Sequence, residues 1–457
     1  MSEILFNKAR IVREKDFYKM LFSIALPVTM QNLIMFFIQM LDTVMLGELG
    51  DVAMSASSLA NQPFFIFNMI VFGLAGGASI LIAQYWGKKE LLPIRRIISM
   101  AIDIGILVGA ILAVLIYMFP ENVMRLFTKD MAVINAGVDY LRIICISYAF
   151  FGFTCAYYST MRSVEVVKVA VISNVVALVV NASLNYILIF GKFGAPAMGV
   201  KGAALATLIA RLCEFLIAFI HMVFIDKRLK LKFKDFVKFD KIMFSDMIKV
   251  ATPVVLNESM WALGTSMQAA LLGKLGTHVV AANSIISVIQ QLSTVAVFGV
   301  ANAAAVSIGK AIGEGDMQKA RDRGHTFKVI SLIFGVFVTI VIILCKDIAI
   351  DFYNVTPQAK ELAHQLIYVA AVIGFFVSIA GISIVGILRG GGDAKFAFYA
   401  EFLSLWLVAV PLAYFCAFVL KFPPILVFAV MKIDEPVKVV LCLIRMKGTK
   451  WINDVTR

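Results

Sequence analysis

Residues 25–50 read ALPVTMQNLIMFFIQMLDTVMLGELG, and residues 251–276 read ATPVVLNESMWALGTSMQAALLGKLG. The two stretches align without a gap, and the alignment continues to residues 90 and 316 at a constant shift of 226 positions, with roughly a quarter of the positions identical. Pro27 meets Pro253, the turn LGELG meets LGKLG, and VFGLAGGA (residues 71–78) meets VFGVANAA (residues 297–304). Further on, Arg162 and Lys168 meet Arg389 and Lys395 at nearly the same shift. Two unrelated apolar helices would not keep a proline, a glycine turn and a basic loop in register, so the chain reads as a tandem repeat.

The repeated unit is a membrane unit. Of the 457 residues, 61% are apolar and only 16% charged, and the mean hydropathy is +0.92. A soluble domain carries about 45–50% apolar and about 25% charged residues, so lipid must cover the excess. Twelve stretches reach the length of roughly 20 apolar residues that a spanning helix needs: 20–46, 53–85, 97–119, 135–161, 166–190, 198–225, 247–272, 279–308, 327–345, 363–388, 396–420 and 422–444. Glycine and proline punctuate them, notably Gly47, Gly87, Pro120, Gly191, Gly273, Pro357, the Gly390–Gly392 run and Pro423. Basic residues gather in every second loop: Lys8, Arg10, Arg13 and Lys15 before the first span, Lys88, Lys89, Arg95 and Arg96 before the third, and DKRLKLKFKDFVKFDK (residues 226–241) before the seventh. The positive-inside rule then places both termini in the cytoplasm, which requires an even number of spans. The expectation is an all-α membrane protein of twelve transmembrane helices, in two six-helix bundles related by a parallel, pseudo-twofold repeat. Residues 1–225 form the first lobe, 226–244 a basic cytoplasmic linker, and 245–457 the second lobe with a short cytoplasmic tail.

Composition also excludes function classes. The net charge of +13 belongs to cytoplasmic loops and carries no nucleic-acid signature, because no Arg-rich face with interleaved aromatics exists. The six cysteines lie in or beside apolar runs and form no CxxC, which suits small buried residues and not disulfides or metal ligands. His221, His278, His325 and His364 are scattered, without an HExxH motif, so neither an enzyme nor a bound cofactor is expected. The first apolar run is too long for a signal-peptide core and reads as a span.

Charged and amide side chains at membrane depth are costly and need a reason. Asp42 lies near the outer end of the first span, a turn before Gly47. It is either a carboxylate that binds a proton or an ion, or an acid reaching the outer surface. Its mate in the repeat is Gln268, so the acid is particular to the first half. Asn174, Asn181 and Asn185 share helical spacing in the fifth span; their amides suit Na⁺ coordination, hydrogen bonds to a protonated Asp42, or interhelical contact. Glu258, mate of Asn32, is the second half's candidate acid or else an interfacial charge. Arg211 and Glu214, three residues apart, are read as neutralising each other, and Lys432, Asp434, Glu435 and Lys438 likewise. Pro27 and Pro253 bend their helices or else occupy a harmless first turn.

These features together resemble the MATE family, the multidrug and toxic compound extrusion transporters. The resemblance is carried by the proline-led first span with Asp42, the LGELG turn, Asn181 and Asn185 leading into LIFG, GVKGAALAT (residues 199–207), PVVLNE (residues 253–258) and LRGGGDAKFAFY (residues 388–399). It implies two bundles around a cleft and export of cationic or amphipathic small molecules in exchange for Na⁺ or H⁺, by alternating access. It further implies a coupling site, open to Na⁺, at Asp42, Asn181 and Asn185, completed by Thr207. Some members carry Asp where Asn185 stands. Another branch carries a Glu and an Asp where Trp261 and Ser378 fall, and RSVEVVK (residues 162–168) departs from the Gly-rich form kept at 389–395. The expected setting is the plasma membrane, with lipid and small molecules as partners, no nucleic acid, and a monomer. The alternative is a flippase for a lipid-linked saccharide on the related fold.

Overall fold

The computed structural model describes residues 9–231, 235–236, 240–351 and 356–457. Lys8 and parts of the basic linker (232–234 and 237–239) lie outside the described residues. Among the described residues there are helices and no strands.

The first repeat contributes α1 (Lys15–Gly47), α2 (Asp51–Ala60), α3 (Gln62–Lys88), α4 (Leu91–Met118), α5 (Pro120–Arg125), α6 (Met131–Ile144), α7 (Ser147–Ser163), α8 (Lys168–Phe190) and α9 (Val200–Ile220). The second contributes α10 (Lys241–Leu275), α11 (Thr277–Gly313), α12 (Met317–Asp351), α13 (Pro357–Gly381), α14 (Ala394–Phe402), α15 (Val410–Tyr414), α16 (Pro424–Met431) and α17 (Asp434–Lys447). Wider π turns run through Ile382–Leu388, Leu403–Ala409 and Phe415–Val419.

Among the described residues nine helical segments are long and apolar enough to cross a membrane, and α6 with α7, bent by 54°, makes a tenth. The other two spans read from the sequence are helical but polar. Helix α10 holds Lys241, Asp246, Lys249, Glu258 and Lys274, while α16 and α17 are separated at Lys432–Ile433 and carry Asp434, Glu435 and Lys438. Of these ionic groups, Glu258, Asp434, Glu435 and Lys438 have ion-pair partners in the protein, described below.

The chain forms two compact units, one of Met1–Thr29, Ala83–Lys89 and Thr252–Arg457, the other of Met30–Ile82 and Glu90–Ala251. A division at residues 225 and 245 therefore misses an exchange: the start of α1 clusters with the second repeat and the start of α10 with the first. In each unit the residue met is the same one of the repeat, Ala25 or its mate Ala251. A Cβ on Gly299 of α11 would lie 2.6 Å from the carbonyl oxygen of Ala25, and one on Gly77 of α3 would collide with Ala251, the mate of Ala25. Glycine is needed at both places because backbone meets side chain with no room for a methyl group. Pro27 and Pro253 lie within two residues of the points where α1 and α10 change unit. Both are interior residues of uninterrupted helices, which rules out the harmless first-turn position. Each removes one backbone hydrogen bond, to Ser23 and Lys249 respectively.

Within the first repeat's unit, α4 packs on α7 through GILVG (residues 105–109). A Cβ at Gly105 would meet the Gly152 carbonyl at 2.7 Å, and one at Gly109 the Tyr148 carbonyl at 2.7 Å. The linker is pinned to the start of α4. Arg95 Nε donates to the Leu229 carbonyl at 2.5 Å, Ser99 Oγ to the Asp235 carbonyl at 3.1 Å, and Arg96 pairs with Asp240. Asp240 also caps α10, accepting from the amides of Ile242 and Met243 at 3.0 and 3.1 Å. Those amides, led by Met243, and the Arg96 guanidinium hold its carboxyl below the usual range.

In the other unit the tail folds back on α3. Trp451 is 2% exposed, under Gly324 and Gly391. Gln84 is clasped between the Asn453 carbonyl (3.0 Å) and the Val455 amide (2.9 Å), and Lys88 pairs with Asp454 at 3.1 Å.

Candidate functional site

Helices α8 and α9 form a tight antiparallel pair. Gly191 ends α8 in the left-handed conformation with φ +69°, and a Cβ there would meet the Ala197 amide nitrogen at 2.8 Å. The Met198 amide then donates to the Leu188 carbonyl at 2.8 Å, and Gly202 seats α9 directly on the Leu188 backbone. This register sets Thr207 of α9 opposite Asn181 of α8.

From there a chain of hydrogen bonds leads to the carboxylate. Asn181 Nδ2 donates to Thr207 Oγ1 at 3.1 Å. Asn185 Nδ2, one turn along α8, donates to Asn181 Oδ1 at 3.1 Å and to Asp42 Oδ1 of α1 at 2.5 Å. Asn181 and Asn185 are buried at 1% and 0% exposure, and Asp42 and Thr207 are half-buried. The Asn185 Oδ1 atom is buried without any hydrogen-bond partner, a state that costs about 1–3 kcal/mol. The structure thus gathers Asp42, Asn181, Asn185 and Thr207 in one unit. Asn174, on the same helix, is buried but is not a link in this chain of bonds.

Arg211 and Glu214 pair at 2.8 Å, and the guanidinium lies over the Phe151 ring at 5.1 Å and the Phe64 ring at 5.9 Å. Arg211 is within Coulombic range of Asp42. Among the described residues no cluster of three or more His, Cys, Asp or Glu suits a metal ion. The arrangement instead offers a single carboxylate edged by neutral amides and a hydroxyl, a set that can take a proton or a hard monovalent cation.

Glu258 belongs to the other unit. Its Oε1 lies 2.7 Å from Arg389 Nη1, and Arg389 also donates to Asn257 Oδ1. The second half's candidate acid is therefore held by an arginine of the LRGGGD motif. Gln268, the mate of Asp42, accepts from Lys432 Nζ at 3.0 Å and donates to the Met431 carbonyl at 2.9 Å.

Sequence reasoning passed over three side chains. Glu401 of α14 is 5% exposed and receives Lys438 at 2.9 Å; an acid inside the apolar stretch 396–420 was its signal. Tyr140 of α6 is buried and accepts from Asn61 at 3.3 Å, which nothing in its local sequence announced. Asp103 is exposed on α4, twelve residues into a very apolar helix.

Comparison with known proteins gives the same outline. The family described as MatE matches the chain twice, over residues 27–187 and 253–415. The chain is similar to a probable multidrug resistance protein NorM of Thermotoga maritima, 26% identical over 403 residues that make up 87% of this chain and 85% of that protein. It is similar also to the multidrug resistance protein MdtK of Yersinia enterocolitica, 24% identical over 86% of each chain. Among solved structures, an outward-facing multidrug resistance MATE family transporter of the MOP superfamily superposes with a TM-score of 0.87, at 16% identity over 96% of this chain and 99% of that one. Each match covers one copy of the repeat from its leading proline onward, and the chain belongs to the MatE family.

Proposed function

We propose that this chain is a secondary antiporter of the plasma membrane that exports cationic or amphipathic small molecules in exchange for H⁺ or Na⁺ by alternating access. The observation that carries the proposal is the bond from Asn185 to Asp42 beside the unpartnered Asn185 Oδ1. A carboxylate attracts a proton or Na⁺, and an oxygen lacking a donor gains a partner when either arrives. The names of the NorM and MdtK relatives support multidrug cargo. The pairing of Arg211 with Glu214 leaves that arginine engaged and so disfavours a pyrophosphate-bearing lipid as cargo.

Occupation of Asp42 from outside favours the state that releases cargo, and emptying it inside resets the protein. A cation can drive this only by binding one state better than the other. Monomeric protein with both termini in the cytoplasm is the working form. The test is cargo transport by the reconstituted protein, with Na⁺ and pH gradients imposed separately. One gradient drives export by the parent protein, and Asp42→Asn abolishes that export while folding normally. Undiminished gradient-driven export by Asp42→Asn would remove Asp42 from the mechanism.

A further inference from the structure

The second repeat buries a denser ionic network than the first. Lys438 Nζ of α17, 2% exposed, lies 2.9 Å from each of three carboxylates: Glu401 of α14, and Asp434 and Glu435 one turn back on its own helix. Asp434 is 4% exposed, and its second oxygen, Oδ1, is buried with no partner. Lys432, bound to Gln268, is within Coulombic range of Asp434 and Glu435.

Few other ionisable groups face this network. Cys442, a turn further along α17, is buried and within its Coulombic range. Helix α13 meets α17 with Phe375, Phe376, Ile379 and Ala380 against Val439. The flanking turns ISIVGIL (Ile382–Leu388) and LSLWLVA (Leu403–Ala409) hold no ionisable side chain. Arg445 is committed to Asp393 at 2.7 Å.

Three carboxylates, Glu401 and Asp434 buried and Glu435 half-buried, thus face two ammonium groups, Lys438 buried and Lys432 half-buried, leaving one negative charge in excess. Such a charge does not persist in a low-dielectric interior without neutralisation. The point where the carboxylates converge is already filled by the Lys438 ammonium, so a metal cation has no place there. The remaining neutraliser is a proton, and the unpartnered Asp434 Oδ1 leaves the network one carboxylate oxygen without a donor. We infer that Glu401, Asp434 and Glu435 form a second proton-binding site, in the second repeat, holding one shared proton at neutral pH. The proton belongs to the network and not to one residue. The site's occupancy does not depend on Asp42; only a role for it in export rests on the antiport reading above.

The test is infrared spectroscopy of the purified full-length protein, reading the carbonyl stretch of a carboxylic acid, which a carboxylate lacks. Asp103→Asn is included throughout, so that the exposed acid of α4 does not contribute. At neutral pH, Glu401→Gln, Asp434→Asn and Glu435→Gln should each remove one carboxylic-acid equivalent, because two acids then balance two lysines. Asp42→Asn should leave that equivalent in place. The inference is overturned if the starting protein shows no protonated carboxyl at neutral pH. It is equally overturned if the folded members of the isostere set keep the starting protein's signal. Export retained by Asp42→Asn would instead count against the antiport reading and leave this spectrum unchanged.

Discussion

Asp42 and Gln268 occupy the same place in the two repeats, yet the charge sits on the residue itself in the first and on its hydrogen-bonded neighbour in the second. In the first repeat a carboxylate is approached by neutral amides, Asn185 directly and Asn181 behind it. In the second a neutral amide is approached by an ammonium, Lys432. One repeat sets a carboxylate among neutral amides, and the other holds a cation on its own side chain. Duplication supplies two similar frames, and single substitutions at matching positions distribute charge differently in each. The same divergence runs through Asn32 and Glu258: the second repeat carries the acid, and Arg389 holds it.

Transport depends most strongly on the charge at these two positions. Replacing Asp42 with Gln makes the first position chemically like the second, and gradient-driven transport should fall to background. The reciprocal change, Gln268→Glu, places an acid beside Lys432, forms an ion pair and should not restore transport to the Asp42→Gln protein. Recovery in that double variant, measured in proteoliposomes, would show the two positions to be interchangeable.

Next in size is the stability of the second repeat's network. Lys438→Met leaves three carboxylates without the ammonium between them, and removing one partner of a buried ion pair costs about 3–5 kcal/mol. Thermal unfolding in detergent should show a marked fall in Tm, largest at alkaline pH, where the carboxyls cannot be neutralised by protonation.

Helix contacts sharpen the contrast at a smaller scale. A Cβ at Gly152 would strike the backbone of Gly105, whereas one at Gly374 of α13 would meet only the side-chain ends of Ile342 and Val338, at 3.0 Å. Gly152→Ala should therefore cost about 1–3 kcal/mol by overpacking, and Gly374→Ala clearly less. Equal losses of thermal stability in the two variants would contradict this difference between backbone and side-chain contact.

The smallest effect concerns pH. Burial alone would raise the Asp454 carboxyl, but bonds from the Thr456 hydroxyl and amide and the Lys88 ammonium outweigh it and hold the group below its ordinary range. Its stabilising contribution is therefore complete above the ordinary aspartate range and is lost as pH falls through the lowered folded value. Since the side chain is 36% exposed, the gap in Tm between the parent protein and Asp454→Asn should be slight at neutral pH and vanish in acid. A gap that widens on acidification would reverse the assigned sign.

The spans and the repeat were legible because hydropathy and register are properties of local sequence. The bend of 54° between α6 and α7 was not, since Cys145 and Ile146 at the break are neither glycine nor proline and tertiary packing sets it. Asp42, Asn181 and Asn185 could be singled out because an acid and spaced amides are conspicuous in apolar runs, and Thr207 came only through family resemblance. Their actual bonding depends on the α8–α9 register, which Gly191 and Gly202 set by close approach. The Arg389 partner of Glu258 lies more than a hundred residues away in sequence. No periodicity within either segment points to the other, so Glu258 read as an unclaimed acid. Glu401 was hidden similarly: its meaning comes from Lys438 on a different helix.

The exchanged helix starts carry a consequence for how such a protein can be made. A polypeptide with one repeat would hold the groove at Gly77 or Gly299 but lack the segment that fills it, while its own leading segment would find no seat. Two copies of that polypeptide could complete each other by trading these segments. Severing the present chain between residues 225 and 240 should thus yield fragments that are soluble in detergent as a pair and aggregate when produced singly.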